Sequence, residues 1–513
     1  MFIEDKKSRV YLLKNCPLDT TYEHTIQFDS REQQAEYFSS LAKYREVEMS
    51  YVRHTENKVY VELLADNIYD CNYIMFQNSN FGNKWFYYFV TNVEYVNNNT
   101  SMLTLACDVM QTWYFDYELG QCFVEREHSK TDKIGDNIVD ENLDCGDYII
   151  KDWERFDMRE RVNVLCVAWQ NNEIIRKLLP DLTKPAIYSD LYGGCVYLFF
   201  DNTESGADRL SGMINSLVEA NFKDAIISLF TMPKKFASTN NLGGIHPLKH
   251  YHFSIPKNHG TLDGYKPRNN KMYIFPYNYL EVSNNNGSIA HLRYEFFEKG
   301  DCTFDVYGNI SCSPEVISIP QYYKNRYLNY DEKVSVSGFP QLSYSVDMYT
   351  AWFAQSIAPS VIGTAGNSVI QRMANPLNNV TNITNVATDV VNTMSTGLQY
   401  AMKPPHNTGN NNGSILATTD LLDIHYIQKT ITYDYAKSID NFFTMYGYAT
   451  KKLKKPNIKV RKNFTYTKVK TCVIKGSVPA NDLKAISSIY KKGITFWLWP
   501  SKIGDYSVDN SPL

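Results

Sequence analysis

The sequence KWFYYFVTNVEYV, residues 84–96, is a long run of aromatic and β-branched side chains and predicts a strand. Three asparagines at 97–99 follow it, and such a run is typical of a turn. A second strand is predicted over 100–110, where apolar residues alternate with polar or small ones. The alternating apolar residues are Leu103, Leu105, Cys107 and Val109. Together these segments predict a β-hairpin with one buried face.

The same residue types recur through the chain, which contains 39 Tyr and 26 Phe among 513 residues. We therefore expect a mainly β, multi-domain protein with several hydrophobic cores. An α/β insert is predicted within 131–265, where strands at 196–200 and 226–230 flank a helix over 207–222. The residues predicted on the buried face of that helix are Leu210, Ile214, Leu217 and Val218.

Charge and cysteine usage narrow the function classes. The net charge of −3 provides no global basic field, so any contact with DNA is expected to be local or transient. The N-terminus has no apolar signal region, which predicts synthesis and folding in a cytoplasm. None of the ten cysteines forms a Cys-x-x-Cys pair, and most lie in apolar runs, so we predict free buried thiols.

The segment from Met348 to Met402 contains only two residues that are charged near neutral pH, Arg372 and Asp389. Its first part, 348–371, has 24 uncharged residues, enough for a helix to cross a bilayer. Two interpretations stay open: a membrane-active loop, or a small buried helical hairpin. A flexible polar connector is predicted over 403–413. The candidate membrane-active residues are Trp352, Phe353, Ile357, Val361, Ile362, Val369, Ile370, Val380, Ile383, Val386, Val390, Val391, Met394 and Leu398.

No established catalytic motif is present in the sequence, and we expect no cofactor or metal. Ser40 and Lys43 fit the short Ser-x-x-Lys pattern without its partner motifs. His246, His250 and His252 are close in sequence, but loop or strand histidines are favoured over a metal site. The tract 451–462 is rich in Lys and could contact phosphates, although a solvated strand edge protected by lysines is favoured.

Three groups of motifs occur together in a fixed order. The first contains YIMFQN (73–78), GNKWFY (82–87), DVMQTW (108–113) and FVEREH (123–128). The second contains NKMY (270–273), PYNYL (276–280) and NNNG (284–287). The third contains YGY (446–448), KPN (455–457), RKNF (461–464), GITFW (493–497) and GDYSV (504–508). In these motifs the chain resembles the major tail knob, or distal tail tube, proteins of short-tailed Picovirinae-type bacteriophages of Gram-positive hosts.

The resemblance implies a virion tail protein, made in the host cytoplasm, that assembles as a homo-hexameric tube for DNA ejection. It implies two tail-tube-like β-barrel domains per subunit and an apolar loop that plugs the lumen and later penetrates the host membrane. The implied partners are other tail proteins (lower collar, tip lysin), phage DNA in nonspecific transit, and host membrane lipid. The predicted domains are 1–130 (tube-type), 131–265 (α/β), 266–347 with 414–513 (tube-type), and 348–413 (loop).

The leading hypothesis is therefore a structural protein with no enzymatic activity. The alternative hypothesis is a tail-associated cell-wall hydrolase or receptor-binding protein. A hydrolase needs a polar catalytic cluster in a cleft, and paired carboxylates for glycoside hydrolysis are recognised only by their distance in space. The sequence shows no such cluster.

Overall fold

The structure is a computed structural model that describes residues 9–47, 49–50, 57–168, 187–188, 191–192, 195–220, 225–237, 249–309, 314–337, 339, 341–343 and 423–513. The chain divides into two compact units. The first unit consists of Met1–Gly146, Tyr265–Met272 and Tyr433–Leu513. The second consists of Asp147–Gly264 and Tyr273–Thr432. Both units are built mainly from antiparallel strands.

The strands of the first unit come from both ends of the chain. Those before Gly146 are β1 (Arg9–Lys14), β2 (His24–Ile26), β3 (Ala42–Tyr44), β4 (Met49–Ser50), β5 (Lys58–Val61), β6 (Cys71–Gln77), β7 (Trp85–Asn97), β8 (Thr100–Cys107), β9 (Tyr117–Leu119) and β10 (Cys122–Glu127). The strands of the second unit are β11 (Tyr148–Phe156), β12 (Arg161–Ala168), β13 (Ile187–Tyr188), β14 (Leu191–Tyr192), β15 (Cys195–Asp201), β16 (Ile226–Pro233), β17 (Lys249–Ile255), β18 (Asn278–Ser283), β19 (Ile289–Leu292), β20 (Cys302–Asn309), β21 (Glu315–Tyr323), β22 (Arg326–Leu328), β23 (Val334–Val336), β24 (Gln341–Ser343) and β25 (Ile424–Ile431). The remaining strands of the first unit are β26 (Tyr448–Lys454), β27 (Phe464–Thr471), β28 (Ile474–Gly476) and β29 (Ile494–Trp497). The helices are α1 (Arg31–Ser40), α2 (Val109–Thr112), α3 (Glu204–Glu219), α4 (Tyr433–Tyr446) and α5 (Ala480–Lys492).

The first unit contains a seven-stranded sheet with the order β3-β1-β6-β7-β8-β5-β4. Helix α1 begins after Ser30, whose hydroxyl accepts a hydrogen bond from the Gln33 backbone N–H and caps the helix. The helix contributes Phe38 to an aromatic core, where its ring centroid lies 4.7 Å from that of Tyr87 and 5.2 Å from that of Tyr73. Burial of these large rings stabilises the helix against the sheet.

The second sheet of this unit has five strands in the order β2-β29-β27-β10-β26. Its core includes Val124 of β10, Phe496 of β29 and, from helix α5, Ile486, Ile489 and Tyr490. In both these sheets, and in the two-stranded sheet β28-β9, the described strands have free ends, so no closed β-barrel is formed in the first unit. The sequence expectation of a barrel is therefore not met here.

The second unit contains sheets β11-β25-β18-β19, β15-β12-β16-β24 and β17-β20-β21-β22, with β23 pairing β21 and β13 pairing β14. Helix α3 packs its apolar face on the β12 sheet, where Leu210, Ile214 and Leu217 are buried with Leu165 and Leu198. The helix predicted over 207–222 and the strands predicted at 196–200 and 226–230 are thus observed as α3, β15 and β16. The described strand orders of this unit are also open, so the second predicted barrel is not closed either.

The hairpin prediction is confirmed by β7 and β8, which are joined at residues 97–100. Its second strand ends sooner than predicted, at Cys107. Asp108 caps a short helix instead, because its side chain accepts hydrogen bonds from the backbone N–H groups of Met110 and Gln111. The sequence KMYIF, residues 271–275, also predicts a strand, and this prediction is wrong, since a short 3-10 helix occupies Asn270–Tyr273.

The boundaries of the compact units also differ from those of the predicted domains. The sequence expectation groups 414–513 with 266–347, whereas 433–513 belong to the first unit. The physical reason is strand pairing: β26 and β27 both pair with β10, and β29 pairs with β2. Helices α4 and α5 are absent from the sequence prediction, although Ala436, Ile439 and Phe443 repeat at helical spacing in α4.

Candidate functional site at the base of the uncharged segment

The predicted loop, 348–413, and its 14 candidate residues lie outside the described residues. The structure does describe the two strands nearest to the segment on either side, β24 and β25. Both strands belong to the second unit. We call these two strands, each paired with its own neighbours, the base of the uncharged segment.

On the N-terminal side, β24 is the last of the described strands in its sheet and, among these, pairs only with β16. The backbone register places Gln341 opposite Phe230 and Ser343 opposite Ser228. Phe230 is fully buried in the core of the unit. The segment thus departs from a short strand at the edge of a well-packed sheet.

On the C-terminal side, β25 is held between β11 and β18. Alternate residues Ile424, Tyr426, Gln428 and Thr430 point into the protein and are buried. The Tyr426 ring lies 4.7 Å from that of Phe253 between centroids, and its hydroxyl is 2.8 Å from the hydroxyl of Ser318. The return strand is therefore fixed on both edges and on its inner face.

Asp423 is buried immediately before β25. One of its carboxylate oxygens accepts a hydrogen bond of 2.7 Å from the Met158 backbone N–H. The other lies 3.6 Å from Nη1 of Arg155 on the neighbouring strand β11. Burial raises the pKa of Asp423 above its usual value, and the Met158 hydrogen bond opposes that rise. The carboxylate anchors the point at which the chain re-enters the second unit.

His425 lies next to this anchor, opposite Arg155 in the strand register. Its imidazole ring is 5.9 Å from the indole of Trp153, which is 53% exposed. Burial lowers the pKa of His425, and this favours its neutral form. No sequence pattern singles out Asp423, Arg155 and His425, because Arg155 is far from the other two along the chain.

The candidate Ser-x-x-Lys motif is not assembled as a nucleophile and base. The Ser40 hydroxyl donates a hydrogen bond of 2.6 Å to the backbone carbonyl of Tyr37, within its own helix. The Lys43 ammonium instead binds the Asp70 carboxylate at 2.7 Å. Each side chain of the motif is therefore engaged elsewhere.

The histidine cluster lies partly outside the described residues, since His246 is not among them. His250 and His252 are on strand β17, with ring centroids 5.3 Å apart. Nδ1 of His252 lies 2.6 Å from Oδ1 of Asp305, a buried residue on strand β20. Sequence reasoning misses this carboxylate because only strand pairing brings it close. Across the described ranges, no three His, Cys, Asp or Glu side chains form a group suited to a metal ion.

The lysine-rich tract begins on β26, which is the edge strand of its sheet, as the favoured interpretation predicts. Lys451 and Lys452 are exposed there, and Lys454 forms an ion pair with Glu127. Eight described cysteines form no disulfide and six of them are buried, which confirms the thiol prediction for those residues. No helix within the described part combines the length and hydropathy of a membrane span.

Comparison with known proteins places these features in a family. A family described as Bacillus phage phi29 tail knob protein gp9, C-terminal domain, matches residues 244–511. The family of caudoviral major tail protein N-termini matches residues 6–118. Similar curated proteins include tail knob protein gp9 of Bacillus phage PZA, 28% identical, and that of Bacillus phage phi29, 25% identical. Each alignment covers 98% of this chain and 98% of the relative.

A solved structure shows the same fold. The tail knob protein gp12 of bacteriophage C1 is similar with a TM-score of 0.63 at 14% identity, over 99% of this chain and 100% of that chain. The first family match extends over more than half of the sequence and includes the pairing strands β25, β26, β27 and β29. The chain therefore belongs to the phage tail knob protein gp9 family, as the motif resemblance predicts.

Proposed function

We propose that this protein is a structural subunit of the distal tail tube, and that its uncharged segment acts as a plug and a membrane-penetrating loop. The observation that carries the proposal is the near absence of charge over 348–402 in a family of phage tail knob proteins. Burial of apolar side chains inside a tube hides them from water, and release transfers them into lipid at roughly 25 cal/mol per Å².

The strands at the base of the segment are suited to this function because they hold its ends in place. Asp423 and β25 hold the C-terminal end on a rigid sheet through the Met158 hydrogen bond and two paired neighbours. The N-terminal end leaves an edge strand. A segment tethered in this way can exchange a lumenal position for lipid without dismantling the sheets that would form the tube wall.

Assembly as a homo-hexamer with other tail proteins is part of the proposal. An exposed strand supports it: β11 pairs with β25 on one edge, and Ile150 and Trp153 are 58% and 53% exposed. Exposed apolar residues on an edge strand are a ready surface for pairing with another chain. DNA in transit would then contact the wall through its phosphates, without base readout.

The test compares dye release from liposomes by the full-length protein and by a deletion of 350–411, after negative-stain microscopy shows whether each forms rings. We expect rings from both and leakage from the full-length protein alone. Rings that never leak under any pH or lipid composition would contradict membrane penetration. Failure of the deletion to fold would identify the segment as part of a core.

A matched pair of double variants tests the segment without shortening it. Apolar residues repeat every three to four positions over 380–398, with asparagines on the opposite face, and this spacing predicts an amphipathic helix. Val386→Lys with Val390→Lys puts two charges on its apolar face, and we expect leakage to be lost. Asn385→Lys with Asn392→Lys puts the same charges on its polar face and should retain most of the leakage. Equal loss in both variants would contradict an amphipathic membrane-active helix.

We further propose that the role is structural rather than enzymatic, on the ground that the relatives are named as tail knob proteins. Zymography on host cell walls checks this directly. A zone of clearing at the mass of this chain would favour the hydrolase alternative.

A further inference from the structure

The C-terminal part of the chain has a charge opposite to that of the rest. Residues 448–513 contain 14 Lys and Arg against three Asp and Glu, a net charge of +11. Because the whole chain carries −3, residues 1–447 carry −14. This region is fully described and lies in the first unit. A near-neutral total charge therefore conceals a strongly basic region.

The basic region is not neutralised by its own carboxylates. Asp482 accepts a hydrogen bond of 2.9 Å from the Trp113 indole, and Asp509 forms an ion pair with Lys462. Asp505 accepts hydrogen bonds from the backbone and hydroxyl of Ser507. Across the part of the chain that the structure describes, several exposed lysines of this region have no ion-pair partner: Lys452, Lys455, Lys470, Lys475, Lys484 and Lys491.

Two of these lysines line a cleft of about 430 Å³ beside helix α5. Lys484 and Lys491 are seven residues apart and thus lie on one helix face, about 10 Å apart along the axis. Ser487 and Ser488 stand between them and also line the cleft. Along this helix, two serine hydroxyls therefore lie between two lysine ammonium groups.

The opposite wall of the cleft contains Cys472 and Ile474. Lys470 and Lys475 are exposed on either side of these two residues in the chain. Burial raises the pKa of the Cys472 thiol to about 12, so the thiol is uncharged near neutral pH and does not repel an anion. Lys484 and Lys491 therefore line this cleft together with two hydroxyls and no carboxylate. Lys470 and Lys475 are only neighbours of its lining residues in the chain, and Glu118 of β9 lies opposite Lys475 in the strand register.

We propose that the α5 cleft and the two lysines that line it, Lys484 and Lys491, bind the backbone phosphates of duplex DNA, independently of base sequence. Charge complementarity is the argument: lysine is a flexible point charge that suits phosphates, and serine hydroxyls donate hydrogen bonds to phosphate oxygens. The inference rests on the proposed conduit function and names the surface that DNA would contact within it.

The experiment measures binding of full-length protein to a fluorescent 30-base-pair duplex by anisotropy at several salt concentrations. The test variant replaces the two cleft lysines, Lys484 and Lys491, with Gln. The control variant replaces two exposed lysines outside the cleft, Lys130 and Lys437, with Gln, which removes the same total charge. Circular dichroism and an unfolding midpoint verify that both variants are folded.

We expect the wild-type affinity to fall steeply with salt, and the control variant to behave nearly like the wild type. The test variant should bind about tenfold or more weakly at 100 mM salt, with a log–log salt slope smaller by about 0.9 for each phosphate that is no longer neutralised. Equal affinities and slopes for the two variants would overturn the proposal, as would wild-type protein that does not bind the duplex at 50 mM salt.

Two further measurements distinguish phosphate recognition from general attraction of anions and from contact between copies. Polyglutamate and unlabelled duplex are compared as competitors at equal charge concentration. If polyglutamate competes as well as the duplex, recognition of phosphate is overturned. Loss of the oligomer in the test variant, seen by mass photometry, would reassign the surface to contact between copies and also overturn it. Ring formation and liposome leakage remain independent readouts, so failure of DNA binding would leave the loop proposal standing.

Discussion

At the residue scale, His128 shows how the core of the first unit depends on a neutral side chain. It is buried, its Nδ1 accepts a hydrogen bond of 2.8 Å from the Tyr466 backbone N–H, and its Nε2 lies 3.1 Å from the carbonyl oxygen of Thr444. Nδ1 is therefore the acceptor, and Nε2 carries the proton. Burial, reinforced by the nearby Arg461 charge, lowers the pKa of His128 to about 3.

The first prediction concerns acid sensitivity. An unfolded histidine has a pKa of about 6.5, so the lowered pKa of folded His128 contributes stability above pH 6.5 that is lost as the pH falls toward 3. We expect a loss of about 2 kcal/mol in the free energy of unfolding between pH 7 and pH 5 from this residue. Urea denaturation of wild type and His128→Gln at both pH values measures it.

The glutamine variant should be less stable at pH 7 but show a smaller loss on acidification. The same substitution at exposed His250 is the control and should leave the acid dependence unchanged. An identical pH dependence in wild type and His128→Gln would contradict the assignment.

The second residue-scale prediction concerns Asp423, at the base of the uncharged segment. Asp423→Ala leaves the buried Met158 N–H without its acceptor and removes the partner of Arg155, so we expect a loss of about 1–3 kcal/mol of stability. Asp423→Asn keeps an oxygen acceptor and should cost less. Thermal unfolding of the two variants checks the order, and equal losses would show that the Met158 hydrogen bond is not the anchor.

At the element scale, local pattern predicts individual strands better than it predicts their ends or their partners. The β7–β8 hairpin follows from alternation and a turn of asparagines, and helix α3 follows from apolar residues at helical spacing. The predicted end of β8 fails at Asp108 because a side-chain cap competes with strand continuation. Strand β11 presents a different feature, an exposed edge with apolar side chains.

The third prediction tests that edge. Replacing Ile150 and Trp153 with Lys places charges on an exposed strand and should reduce the oligomer mass, while changing the stability of the subunit by only about 0.5 kcal/mol. Mass photometry measures assembly, and thermal unfolding measures stability. Tyr330→Lys, at a residue that is 58% exposed in a short turn, is the control. Normal assembly of the double variant would exclude these two side chains from the contact between copies.

At the scale of the whole molecule, stability comes from hydrophobic cores without disulfide crosslinks among the described cysteines. Burial raises the pKa values of the Cys16 and Cys107 thiols to about 12, which lowers their reactivity. We therefore predict that no more than about four of the ten thiols react rapidly with Ellman's reagent in the native protein, and that all ten react in guanidinium. A reducing agent should leave the unfolding midpoint unchanged; more rapid thiols, or a lowered midpoint, would contradict this.

The mainly β class, the free thiols, the lysine-protected edge and the family all follow from the sequence, because these depend on local composition, periodicity and motif order. The sequence also identifies the uncharged segment, whose membrane role stays a proposal. Which strands pair is known only from the folded chain. Strand β10 joins β26 and β27 from the opposite end of the chain, and the buried Glu141 contacts Arg126 and Lys271. Such partners are selected by packing and by the cost of burying unpaired charge, and neither is encoded in any short stretch of residues.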